Sequence, residues 1–214
     1  MAGILDLLNS DMGRQIISGV SNETNQPADK TASVLQMALP MLMGAMKRNA
    51  STPEGAEGLL GALNSKHDGS ILDNLGGLFG GGVDEEVKQD GAGILGHVLG
   101  GSQGNVAQAL SQKSGMDSQS VMKILQVAAP LILGYLGKQK RQQNVESPDA
   151  LGGLLGGLLG GGKTQQKQQS LIESILDGNN DGSIVDDLAG MVLGGGSKKK
   201  SGLGGLLGGL FGKR

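Results

Sequence analysis

SVLQMALPMLMGAM fills Ser33–Met46, and KILQVAAPLILGYL fills Lys123–Leu136. The two stretches lie 90 positions apart and share Leu, Gln, Ala, Pro and Gly at matched places, with apolar residues at most others. In the first, Val34, Leu35, Ala38, Leu39, Leu42, Met43 and Met46 recur at i, i+3, i+4 and i+7. That spacing puts them on one face of a buried helix. Ile124, Leu125, Ala128, Ala129, Ile132, Leu133 and Leu136 repeat it. Each run carries a central proline, Pro40 or Pro130. A proline removes a helical N–H and crowds the preceding turn at about 3 kcal/mol, so the spacing predicts a kink or a break into two short helices. Cations close both runs (Lys47 and Arg48; Lys138, Lys140 and Arg141), as a helix C-terminus favours.

The same 90-residue shift lays AGIL at Ala2–Leu5 on AGIL at Ala92–Leu95, and QIISGVSNET on NVAQALSQKS. TPEGAEGLLGAL (Thr52–Leu63) resembles SPDALGGLLGGL (Ser147–Leu158). HDGSILDNLGGLFGGG (His67–Gly82) resembles NDGSIVDDLAGMVLGGG (Asn180–Gly196). No segment alternates with period two. The expected fold is all-α: a tandem duplication of a small helical unit with Gly-rich connectors and a flexible basic C-terminal tail. Residues 1–82 would form the first repeat, 83–90 a linker and 91–145 the core of the second. Residues 146–196 would hold a Gly–Leu segment and a final DGS-initiated helix, and 197–214 the tail.

The repeated LQ-x-A-x-P-x-x-x-G helix, the DGAGILGHVLGG segment from Asp90 and the DGS-apolar-D-D/N-L motif resemble the YidB-like family of bacterial proteins of unknown function. The likeness covers most of Ala2–Gly195, and is strongest over Asp90–Leu136 and Asp181–Gly195. It implies a compact all-helical fold and no known reaction, ligand or catalytic residue. The long Gly–Leu inserts and the Lys-flanked tail depart from it.

Composition narrows the function classes. The chain has 41 Gly, no Cys, no Trp, one Tyr and two Phe in 214 residues, with net charge −2. Without cysteine there is no disulfide, thiolate metal site or Cys nucleophile. Basic clusters with stacking aromatics are missing, so nucleic acid is not an expected partner. No G-x-S-x-G, H-E-x-x-H or Walker loop frames a catalytic centre, so neither an enzyme nor a cofactor is expected, nor a small-molecule substrate. The amino terminus lacks a signal-peptide pattern, and no uninterrupted apolar stretch approaches a spanning length of ~18–20 residues, which makes a cytoplasmic location the default. His67 and His97 have no second ligand at helical spacing and read as surface or half-buried. The four methionines of Met37–Met46 read as core filler.

Two motifs remain. Asp177, Asn179 and Asp181 match the first ligand positions of a calcium loop. Leu188 stands where the bidentate Glu belongs, and Asp187 lies one place early. The competing reading covers both DGS copies: Ser70 with Asp73, and Ser183 with Asp186, form S-x-x-D helix caps. The Gly–Leu segments are more distinctive. Leu154, Leu155, Leu158 and Leu159, and Leu206, Leu207, Leu210 and Phe211, form narrow stripes that glycine leaves unstable unless buried. Lys198–Lys200, Lys213 and Arg214 flank the second stripe. The expected role is non-catalytic: self-association or protein binding through these exposed aliphatic faces. The alternatives are a peripheral protein using its cationic tail on an anionic membrane surface and a weak calcium-binding protein.

Overall fold

Local chemistry sets the helix boundaries. The structure, a computed structural model, describes residues 4–160. After α1 (Ile4–Asn9), the Ser10 hydroxyl accepts from the Gly13 N–H and starts α2 (Asp11–Thr24). Asn25, in the left-handed region at φ 53°, ends α2, and Pro27 leads into α3 (Ala28–Asn49). Thr52 caps α4 (Pro53–Ser65), where Pro53 takes a first-turn position that needs no N–H. A 3₁₀ turn over Ser70–Asn74 precedes α5 (Leu75–Gly80), which Asn74 caps through Gly77 N–H. Then come α6 (Glu85–Leu99) and a second 3₁₀ turn over Gly100–Ser102. The last three helices are α7 (Gln103–Ser114), α8 (Ser118–Gln142, capped by Asp117) and α9 (Pro148–Gly160) among the described residues. The protein is all-helical, and no strand occurs among the described residues.

Positions 90 apart do the same structural work. Asn25 and Gly115 both end their helices in the left-handed region. Ser21 Oγ donates to the Gln26 carbonyl at 2.6 Å, and Ser111 Oγ to the Met116 carbonyl at 2.5 Å. The Thr24 and Ser114 hydroxyls bond back to Val20 and Leu110, both fully buried. The central helices α3 and α8 run on through Pro40 and Pro130, so neither proline breaks its helix.

The two halves do not form separate bodies. Helix α2 packs on α3 and also on α8, while α7 packs on α8 and also on α3. Likewise α4 reaches α8 and α9 reaches α3. Each half covers the central helix of the other, and one continuous apolar core joins them. Residues 83–90, expected to be a linker, are part of this body: Val83 is buried and α6 begins at Glu85. The Gly–Leu stretches of Pro53–Ser65, Leu75–Gly80 and Pro148–Gly160 are helices instead of connectors. Burial supplies what glycine takes away in propensity.

Helix α8 does have the length and hydropathy to cross a bilayer, contrary to the expectation that every apolar stretch is too interrupted. In the fold, 78% of its most apolar window is buried among the other helices. Its apolar surface belongs to the core.

The Gln126 carbonyl shows how the proline helix is accommodated. It lies four residues before Pro130, which has no N–H to give it. Gly91 of α6 sits against it so closely that a Cβ there would lie 1.8 Å from the oxygen. Only glycine permits that crossing of α6 over α8. The Cα–H that stands where a Cβ would be faces an acceptor for which Pro130 has no N–H.

Candidate functional site

Several of the positions singled out in the sequence fall elsewhere than expected. Leu154, Leu155 and Leu158 are buried, at 3%, 0% and 2% exposure, and Leu159 is packed against the same core. The α9 stripe is therefore occupied within the chain by α3 and α4 and is no exposed contact face. Ser70 does not cap a helix. The Asp68 carboxylate accepts from the Ser70 N–H at 2.9 Å, and Asp73 lies near Lys138 instead. A positive φ of 104° at Gly69 turns the chain so that the aspartate two residues back does the capping. Leu206, Leu207, Leu210, Phe211, Ser183, Asp186 and the calcium-loop residues Asp177, Asn179, Asp181 and Asp187 lie outside the described residues.

Among the described residues a groove of about 760 Å³ lies between α4 and α6. The walls are antiparallel: Lys66, just past α4, meets Asp90 near the start of α6, and Asn49, beside the start of α4, donates to the His97 carbonyl at its end. Gly58, Leu59 and Ala62 line the α4 side, and Gly93, Ile94 and Val98 the α6 side. Met46 of α3 and Leu133 of α8 form part of the floor. A Cβ on Gly58 or Gly93 would meet nothing within 4 Å, so both walls present bare backbone to the opening. Wall positions run from Glu54 to Lys66, about 18 Å at 1.5 Å per residue.

A polar cluster closes one end. Lys66 Nζ stands 2.9 Å from Asp90 Oδ1, and His67 Nε2 is 3.5 Å from Asp90 Oδ2. Hydrogen bonding to Asp90 raises the Lys66 pKa. Burial lowers that of His67, with Asp90 opposing the shift and Lys66 adding to it. His67, expected at the surface or half-buried, is 6% exposed, whereas His97 is exposed. The reason is a close approach: a Cβ on Gly137 of α8 would lie 1.9 Å from the His67 carbonyl oxygen. Glycine at 137 lets the chain after α4 lie directly on α8. No local signal in the sequence joins position 67 to position 137.

Fold and groove together define the class: an all-α protein of interleaved helices with an amphipathic interhelical groove. A family model matches residues 6–139 and 142–214. The chain belongs to that family, bacterial proteins of unknown function (DUF937), which bears out the YidB-like resemblance. We found no match among curated proteins or among solved structures.

Proposed function

We propose that this is a non-catalytic binding protein whose α4–α6 groove takes up an apolar-faced helix from a protein partner, and that its two halves arose by tandem duplication. The observation that carries the binding role is the groove itself. It has antiparallel walls with exposed glycines and an aliphatic floor, and its length suits a short helix. Small wall residues favour a helix over a bulkier element, because they let backbones approach closely. The volume also falls in the range of about 300–1,000 Å³ typical of binding clefts. The polar groups at its end, Lys66, Asp90 and His67, engage one another, which suits orientation of a partner better than proton transfer to a substrate. The duplication is supported by the hydrogen bonds and helix ends that recur at the 90-residue shift.

The test is a titration of the ¹⁵N-labelled full chain with a synthetic 14-residue helix carrying a leucine stripe and lysines at both ends. Amide shifts confined to Gly58, Ala62, Gly93 and Ile94 are expected, and Gly93→Leu should abolish them. Unchanged groove amides up to ~1 mM peptide, a binding free energy weaker than about −4 kcal/mol, would sink the reading.

A further inference from the structure

We propose that the helix taken up by this groove is the Leu203–Phe211 segment of a second copy of the chain. The inference rests on the groove being a helix-binding site, as proposed above, and names its occupant.

The first argument is a docked template. LGGLLGGLL at Leu151–Leu159 and LGGLLGGLF at Leu203–Phe211 differ only at the last position. The first of these is most of α9, and its Leu151, Leu154, Leu155 and Leu158 are all buried against neighbouring helices, α4 among them. One flank of α4 therefore already accepts this sequence as a helix. The groove is lined by a part of the same helix that α9 does not share, where Gly58 and Ala62 present a small surface. What α9 shows is that this leucine-and-glycine sequence packs as a helix against α4 with its leucines buried.

The second argument is charge. The groove has Glu54 at one end and Glu86 and Asp90 at the other, against a single lysine, Lys66. The Leu203–Phe211 segment has Lys198, Lys199 and Lys200 before it and Lys213 and Arg214 after it, with no acid from Leu188 onward. Cations flank the stripe on both sides, as carboxylates flank the groove. At nine residues and 1.5 Å per residue the segment spans about 13 Å, within the roughly 18 Å of wall. Because donor segment and groove are different surfaces, the contact is head-to-tail. It closes into a ring or a reciprocally exchanged dimer where the geometry allows and builds open chains where it does not.

The absence of native cysteine gives a clean test in the full chain. One preparation carries Gly58→Cys, a second carries Leu207→Cys, and a control carries Ser33→Cys on the exposed side of α3. When the first two are mixed under mild oxidation, the mixed disulfide should form about tenfold faster than in the Ser33→Cys and Leu207→Cys mixture, since docking raises the local thiol concentration. Light scattering should show mass rising with concentration for the wild type. The full-length Leu206→Asp/Leu210→Asp variant should lose that rise. Equal rates in both mixtures would overturn the proposal. So would an internal disulfide in a Gly58→Cys/Leu207→Cys double variant with no linkage between copies, which would give the groove to the chain's own segment. If the synthetic peptide still shifts the groove amides in either case, the helix-binding reading stands and only the occupant is wrong.

Discussion

Gly91→Ala tests the crossing on which the fold depends. A Cβ at this position would lie 1.8 Å from the Gln126 oxygen, whereas real Cβ contacts essentially never fall below 3.0 Å. Helices α6 and α8 must then part locally by at least about 1.2 Å (3.0 − 1.8), and such overpacking costs about 1–3 kcal/mol. The pair carries the buried Ile94 and Leu95 on one side and Ile124 and Leu125 on the other, so separation also loosens dispersion contacts in the core. Alanine returns up to about 1 kcal/mol of helix propensity, which leaves a net loss of about 1 kcal/mol, and about 2 kcal/mol at the upper end of the overpacking range. Gly93→Ala, two residues along the same helix, meets nothing within 4 Å and should gain about 0.5–1 kcal/mol instead. Urea unfolding followed by circular dichroism at 222 nm measures both. Pro130→Ala completes a cycle: with an N–H restored at position 130, the Gln126 carbonyl has a partner in its own helix and can draw back from α6. The Gly91→Ala cost should shrink by about 1 kcal/mol in that background, a coupling typical of groups in contact. Equal effects at Gly91 and Gly93, or no coupling to Pro130, would refute the crossing.

Leu155→Ala should destabilise the chain by about 2–5 kcal/mol, as at any fully buried leucine, and a loss below about 0.5 kcal/mol would return the α9 stripe to the surface. Ser21→Ala and Ser111→Ala each strip a partly buried carbonyl of its hydroxyl donor and should cost about the same, near 1 kcal/mol; a severalfold difference in the same unfolding assay would contradict their equivalence. His67 has its folded pKa below the ordinary 6.5 because it is buried, so the unfolded chain takes up the proton first as pH falls. Its contribution to stability is complete above the unfolded pKa and is lost as pH drops toward the folded value. The urea midpoint should therefore decline from about pH 7 to pH 5, and His67→Gln should flatten that slope; an unchanged slope would place the proton uptake elsewhere.

The helices are legible in the sequence because their information is local. Val34 to Met46 and Ile124 to Leu136 show a helical period, and Ser10, Thr52 and Asp117 each cap the helix that begins beside them. The interleaving is not legible, since nothing in the apolar period of α2 says that it faces α8 as well as α3. The α9 stripe needs burial, as its spacing implies, but finds it inside the chain and not at an outer contact face. Spacing gives the need and not the neighbour. At Ser70 the S-x-x-D pattern is present, but the turn at Gly69 hands the cap to Asp68. The groove is the least legible feature. It depends on Gly58 and Gly93, two of 41 glycines, and on the distant pair His67 and Gly137.

That pair also marks a difference between the two central helices. At the shift of 90 the counterpart of Gly137 is Lys47, and that of Gly134 is Gly44. The 3₁₀ turn uses both glycines of α8: Ile71 lies over Gly134, and the His67 carbonyl lies on Gly137. On α3, the Cβ of Lys47 would meet any chain approaching as closely as the His67 carbonyl does. The segment after α4 can therefore lie on α8 in this manner, carrying Lys66 and His67 to Asp90 and closing one end of the groove. The repeated positions build a pair of central helices with matching caps. Gly137, which the shift of 90 leaves unmatched, thus gives α8 a close backbone contact that Lys47 denies α3, and one end of the groove is built on it.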